Sequence, residues 1–93
     1  MENGGCMTLL KFWAPWCGPC KNMAPAVASA LKKYASIELK DVNVDEDPDT
    51  ATEHKVRAIP TLILLKDGSP EGRLVGARSP KEIEEFLSEH QQS

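Results

Sequence analysis

Two cysteines separated by two residues, Cys17 and Cys20, are the side chains of this sequence best suited to chemistry. They follow a short apolar run and precede residues whose apolar positions recur every three or four places, so a strand passes into a helix there. Backbone N–H groups and the helix dipole stabilise negative charge at a helix N-terminus, which favours a thiolate at Cys17. Because the thiolate is the nucleophile, we predict that Cys17 is exposed and attacks the substrate.

Cys20 falls one turn into the same helix, on its apolar side. We predict that this thiol stays protonated until it attacks the mixed disulfide that Cys17 forms with a substrate. Pro19 suits this helix start because it fixes φ and lacks an N–H group that would go unpaired.

Other interpretations of the remaining residues are less favoured. A zinc site needs about four ligands, and only one Cys-x-x-Cys pair is present. A structural disulfide closing so short a loop adds little stability. Cys6 is interpreted as incidental, with a regulatory or intermolecular thiol as the alternative. We expect His54, His90 and Lys21 to be solvated.

Composition limits the function classes. The chain has 93 residues, which is enough for one domain spanning 1–93, and 41% are hydrophobic. The net charge of −3, without a basic stripe, argues against a nucleic-acid partner. No secretory signal and no apolar run of about 20 residues is present, so we expect a cytoplasmic protein without a membrane partner. Three cysteines are too few for a disulfide scaffold, which favours redox chemistry.

Apolar periodicity predicts the elements that position the cysteines. Residues 7–13 read as a buried strand, and the helix after the cysteines carries Pro25, which should kink it. A second strand covers residues 37–44, and Asp47 then caps a short helix. Residues 61–65 form a central strand.

A hairpin and a helix close the chain. Asp67 and Gly68 make a turn into a strand at residues 73–75, and a capping box at residues 79–82 opens the last helix. The predicted order is β-α-β-α-β-β-α. This order indicates an α/β fold with a minimal four-stranded mixed sheet and helices on both faces.

The segment Trp-Ala-Pro-Trp-Cys-Gly-Pro-Cys-Lys at residues 13–21 resembles the active site of the thioredoxin family. Four further matches run towards the C-terminus: Pro25 with the helix-kinking proline, residues 43–45 with a strand end, residues 59–61 with the cis-proline segment, and residues 75–77 with the glycine turn of the substrate groove. The resemblance begins at about Thr8.

The resemblance implies a thioredoxin-like fold and reduction of protein disulfides. It implies a cis peptide bond before Pro60 and a substrate groove formed by Trp16, Gly18, Pro19, Ile59, Pro60, Gly76 and Ala77. No nucleotide-binding fingerprint occurs, so electrons must come from another protein, a thioredoxin reductase. We expect no cofactor beyond a redox-active disulfide between Cys17 and Cys20, disulfide-containing target proteins as partners, and a monomer.

The sequence departs from the family in two places. About six residues precede the first strand, where thioredoxins usually have an additional strand and helix. The strand at residues 37–44 is then expected to form an exposed edge, unless residues 2–6 cover it. Lys11 stands where the family usually has a buried aspartate, and Asp41 stands where the neighbouring strand usually has a lysine.

Period-two alternation places Lys11 on one face of its strand with Leu9 and Trp13, and Asp41 on one face of its strand with Leu39 and Asn43. With the strand pairing that the resemblance implies, these faces coincide and Lys11 and Asp41 lie near each other below Cys20. A paired buried lysine is tolerable, and Asp41, acting through water, would then serve as the proton acceptor of Cys20. Alternatively, Lys11 extends its charged end to solvent and Asp41 is simply exposed.

Two other functions remain open at this point. The shortened core resembles the one that glutaredoxins use, and an open groove could admit glutathione. The same groove could also serve a redox-independent partner subunit.

Overall fold

The computed structural model describes residues 7–91. The four strands are β1 (Met7–Trp13), β2 (Ile37–Asn43), β3 (Thr61–Lys66) and β4 (Ser69–Val75). The helices are α1 (Gly18–Leu31), α2 (Pro48–Glu53) and α3 (Pro80–Gln91). The element order is the predicted one. None of the helices in this part of the chain is long and apolar enough to cross a membrane.

The strands form one mixed sheet in the order β2-β1-β3-β4. β1 pairs parallel to β2 and antiparallel to β3, and β3 pairs antiparallel to β4. Within the described residues β2 is therefore an edge strand, as predicted. The covering strand considered for residues 2–6 lies outside the described residues. That the chain is a single domain shortened at its N-terminus stays a prediction.

Alternating side chains bury both faces of the sheet. On one face, Leu9 and Leu64 pack with Val27 of α1 and Ile83 of α3, and all four are completely buried. On the other face, Leu10, Phe12 and Ile63 pack with Ala51 of α2. Complete burial of a leucine or isoleucine side chain contributes about 1.5–3 kcal/mol, so this packing holds α1 and its N-terminus against β1.

Side-chain caps begin the two other helices. Asp47 accepts hydrogen bonds from the hydroxyl of Thr50 at 2.7 Å and from its backbone N–H at 3.2 Å. These two bonds lower the pKa of Asp47. At α3, Ser79 N–H donates to Glu82 at 2.9 Å and Glu82 N–H donates back to the Ser79 hydroxyl at 3.2 Å, which is the predicted capping box.

The hairpin differs from the prediction in one respect. Asp67 and Gly68 both have positive φ, 53° and 84°, the conformation in which a two-residue turn matches strand twist. β4, however, starts at Ser69 rather than at residue 73. The sequence pattern missed this start because Pro70 interrupts it. Proline is nevertheless tolerated at a sheet edge, and a register shift at Leu64/Leu65 accommodates it here.

Candidate redox site

Cys17 caps the N-terminus of α1. Its backbone is extended, with φ −91° and ψ 106°, and its Sγ accepts a hydrogen bond from the Cys20 N–H at 3.2 Å. Gly18 and Pro19 fill the first two helical positions, so the Pro19 ring occupies a place where no N–H bond is needed. The Cys20 N–H in the first turn of α1 is therefore directed at the Cys17 sulfur, and it and the helix dipole stabilise negative charge there.

A disulfide bond joins Cys17 to Cys20, whose Cα atoms are 5.3 Å apart. Both residues are nearly completely buried, with exposed fractions of 5% for Cys17 and 4% for Cys20. The prediction of an exposed Cys17 is therefore wrong for this oxidised state. The reason is packing: Ala14 and Ile59 lie against the two cysteines, and Ile59 comes from a loop distant in the sequence.

The loop before β3 forms the second wall of the site. The Ile59–Pro60 peptide bond is cis, the isomer that the family resemblance implies. Gly76 has a φ of 93° and donates its N–H to the Pro60 carbonyl at 2.8 Å, which joins the turn after β4 to this loop. Gly18, Pro19 and Ala77 are exposed, and Ile59 is half-buried.

Trp16 is the large apolar side chain most exposed beside the disulfide, with 68% of its surface accessible. Its indole N–H donates to Asp45 at 2.9 Å, which fixes the ring at the edge of the site. An apolar cleft of about 160 Å³ extends from Trp16 to Ile59, with Val44 and Val56 in its lining. Sequence reasoning missed Asp45 as the partner of Trp16, because no local pattern links two loops so far apart.

Lys11 and Asp41 form an ion pair at the inner side of the site. They are directly opposite each other in the β1–β2 register, and Lys11 Nζ lies 3.0 Å from Asp41 Oδ1. The Lys11 side chain is only 13% exposed, whereas that of Asp41 is 53% exposed. The predicted pairing is confirmed, and Lys11 does not extend into open solvent.

A cleft of about 180 Å³ connects this ion pair with Cys20. Its lining residues are Lys11, Trp13, Cys20, Lys21, Ala24 and Asp41. Trp13 Nε1 is buried and has no hydrogen-bond acceptor among the described residues. The cleft is large enough for water, whose share of liquid volume is about 30 Å³ per molecule.

The histidines and the remaining cysteine lie elsewhere. His54 and His90 are half-buried rather than solvated: His54 packs edge-on against Phe12 at 5.9 Å and His90 against Phe86 at 5.0 Å between ring centroids. Cys6 lies outside the described residues. In residues 7–91, no group of three or more His, Cys, Asp or Glu side chains is placed to hold a metal ion.

Comparisons with known proteins agree with this geometry. The family model described as Thioredoxin matches residues 3–89. A thioredoxin of Staphylococcus aureus is 41% identical over 91 residues, 97% of this chain and 86% of that protein. The structure of Fasciola hepatica thioredoxin is similar with a TM-score of 0.86 and 34% identity, over 95% of this chain and 84% of that one. A third similar chain has a TM-score of 0.84 and 35% identity, over 91% of this chain and 79% of that one. It comes from a structure on the thiol-resolving mechanism of yeast mitochondrial 1-Cys peroxiredoxin via the glutathione and thioredoxin systems.

Proposed function

The chain belongs to the thioredoxin family, and we propose that it reduces protein disulfides in the cytosol as a monomeric carrier of two electrons. It is a thiol–disulfide oxidoreductase with the Cys17–Cys20 pair as its redox centre. The observation that carries the proposal is the position of the Cys17 sulfur at the N-terminus of α1, where it accepts the Cys20 N–H.

In the proposed reaction, the Cys17 thiolate attacks one sulfur of a target disulfide, and the other target sulfur leaves as a thiolate. Cys20 then attacks Cys17 Sγ in the mixed disulfide. The bond between Cys17 and the target breaks, the Cys17–Cys20 disulfide forms, and the second target sulfur leaves as a thiolate. The target gains two electrons and, once its thiolates are protonated, two protons.

We propose that targets dock across the exposed surface around the buried disulfide. Trp16, Gly18 and Pro19 border it on one side, and Ile59, Pro60, Gly76 and Ala77 border it on the other. The backbone N–H and C=O groups of Ile59 would pair with an extended target segment, as in strand addition. Since one similar chain comes from a structure on the resolution of a peroxiredoxin, peroxiredoxins are candidate targets.

Asp41 is the proposed proton acceptor for Cys20, acting through water in the cleft that both residues line. The half-exposed carboxylate exchanges protons with solvent, which suits this role. If Asp41→Ala resolves mixed disulfides at the wild-type rate across the pH range, this role is excluded.

The function is tested by the reduction of insulin with dithiothreitol as the electron source. We expect the protein to accelerate the precipitation of reduced insulin. Cys17→Ser should abolish the acceleration because no nucleophile remains, whereas Cys20→Ser should accumulate mixed disulfides that gel electrophoresis without reductant detects. Full activity of Cys17→Ser would refute the mechanism.

The electron donor separates the proposal from its two alternatives. A thioredoxin reductase with NADPH should support turnover, and glutathione alone should not. Turnover with glutathione alone would favour a glutaredoxin-like enzyme. If a variant with serine at both Cys17 and Cys20 keeps its function in the cell, the protein acts mainly as a partner subunit.

A further inference from the structure

Lys11 and Asp41, the ion pair beside Cys20, differ strongly in their exposure to water. The Lys11 side chain is 13% exposed and that of Asp41 is 53% exposed, so solvent stabilises the carboxylate far better than the ammonium group. Removing the counter-charge of a mostly buried cation is costly. Lys11 therefore needs a negative partner at every stage of the reaction.

We propose that Lys11 is a positioning residue that exchanges its partner during the resolving step, from the Asp41 carboxylate to the Cys20 thiolate. The proposal rests on the proposed function, in which Cys20 resolves the mixed disulfide. Lys11, Asp41 and Cys20 all line the same cleft of about 180 Å³, which brings both members of the ion pair to the cavity beside the resolving cysteine.

The exchange conserves charge in the cleft. Before the step, Lys11 is positive, Asp41 is negative and the Cys20 thiol is neutral. When the proton of Cys20 reaches Asp41 through water, Asp41 becomes neutral and Cys20 becomes the thiolate. These three groups together carry one positive and one negative charge in both states, so their net charge does not change while the nucleophile forms.

The proton then leaves with the product. Cys20 Sγ bonds to Cys17 Sγ, the bond from Cys17 to the target breaks, and the target thiolate carries the electron pair away. Asp41 returns its proton to solvent or to that thiolate. Lys11 then pairs again with the Asp41 carboxylate, at the 3.0 Å seen in the oxidised protein.

Among residues 7–91, four side chains with charge or a titratable group line the cleft of Cys20 or pack against Cys20 itself. Lys11 comes from β1, Asp41 from β2, and Lys21 and Cys17 from the α1 region. Lys21 is exposed, so water screens its charge more strongly than that of Lys11. Lys21 therefore provides a matched control for the removal of one positive charge from the same cleft.

The test measures the pKa of Cys20 in a background of Cys6→Ser and Cys17→Ser, which leaves Cys20 as the only cysteine of three. The readouts are thiolate ultraviolet absorbance and the rate of alkylation by iodoacetamide against pH. Lys11→Met should raise the pKa of Cys20 by about one unit or more, because an opposite charge is lost. Asp41→Asn should lower it, because a competing anion is lost. Lys11→Arg should restore the background value.

These opposite shifts distinguish the proposal from a structural role, since loss of packing has no reason to move the pKa in opposite directions. Lys21→Met should raise the pKa of Cys20 less than Lys11→Met does. The proposal is overturned if Lys11→Met leaves that pKa unchanged, or shifts it no more than Lys21→Met. If Lys11→Met does not fold, the Asp41→Asn arm decides alone: a pKa that is unchanged or higher overturns the proposal.

Kinetics provide a second readout in protein with both active-site cysteines. The pH midpoint of the resolving rate should move with the pKa of Cys20, upwards in Lys11→Met and back in Lys11→Arg. If the pKa of Cys20 moves but the pH midpoint of the resolving rate does not, the proposed partner exchange during resolution is overturned. The insulin assay on the wild-type protein uses none of these variants, so failure of the proposed function would be recognised separately.

Discussion

Glu82 shows how a single charge at a helix start couples stability to pH. The backbone N–H of Ser79 donates a hydrogen bond to the Glu82 carboxylate, and this bond does most to hold the pKa of Glu82 below its ordinary value of 4.5. A hydrogen bond with the Ser79 side chain and a weaker attraction from Arg78 lower this pKa further. A carboxyl group with a lowered pKa stabilises the folded state above its unfolded pKa, and this contribution is lost as pH falls through the folded pKa.

We therefore expect Glu82→Gln to lower the melting temperature near neutral pH. The difference from the wild type should vanish in acid, below the folded pKa of Glu82, because the wild-type carboxyl is then also neutral. Glu85→Gln, an exposed position on the same helix, is the control for loss of a surface charge. A difference that persists unchanged in acid would contradict this explanation.

The pairing of Lys11 with Asp41 could be predicted from the sequence only as one of two alternatives. Period-two alternation, together with the strand pairing that the family resemblance implies, placed both residues on one face, but it left a lysine extended into solvent as an alternative. The register of β1 against β2 determines whether Lys11 reaches Asp41, because a shift of one residue would move every side chain of a strand to the opposite face. Lys11 pairs with Asp41 because β1 and β2 align them directly.

At the scale of elements, Gly72 in β4 supports the end of α3. A Cβ atom at Gly72 would lie 2.6 Å from His90 Nε2 and 3.1 Å from Phe86 Cε1. The rings of Phe86 and His90 are in edge contact there. The missing side chain of Gly72 thus makes room for the last turn of the helix against the sheet.

Gly72→Ala should lower the free energy of unfolding by roughly 1 kcal/mol, the low end of the cost of overpacking, because the added methyl group forces the half-buried end of the His90 side chain away from Phe86. His90→Ala removes the clashing ring, so Gly72→Ala should cost much less in that background. Urea denaturation of both single variants and the double variant gives the coupling, which we expect to exceed about 0.5 kcal/mol. Simple additivity would show that the two residues are independent.

Sequence patterns predicted every helix and strand but not this contact. The start of β4 was masked by Pro70, and the strand register shifts at Leu64/Leu65. Without that register, no pattern could place Gly72 below His90. Contacts between elements distant in the chain decide such details, and the burial of Cys17 by Ile59 is another case.

At the scale of the whole molecule, the alternation of strands and helices predicted the element order and part of the strand pairing. The crossover through α1 makes β1 and β2 parallel, and the Asp67–Gly68 turn makes β3 and β4 an antiparallel hairpin. The same rule fails for β3, which is antiparallel to β1, and so to β2, although α2 separates it from β2. Together these rules give the observed pairing of β1 with β2 and of β3 with β4. The two faces of the sheet follow from apolar side chains at alternating positions.

The edge strand β2 bears on the association state of the molecule. Within residues 7–91 it pairs with β1 on one side only, and the backbone groups on its other side are a template for another chain. Glu38 and Lys40 are exposed along this strand. Charged side chains on an edge oppose pairing with a second copy, because pairing would remove their charges from water.

We therefore expect the wild-type protein to sediment as a monomer, and a Glu38→Thr, Lys40→Thr variant to associate with increasing concentration. Threonine favours extended structure and removes two of the three exposed charges of β2, leaving Asp41, so opposition to strand pairing at this edge is weakened. A variant with Glu53→Thr and Lys81→Thr removes the same two charges at exposed positions outside the sheet, and it should stay monomeric. Sedimentation velocity over a range of concentrations measures all three proteins. If both variants associate equally, lost surface charge rather than the edge of β2 is the cause, and a dimeric wild type would refute the protective role of Glu38 and Lys40.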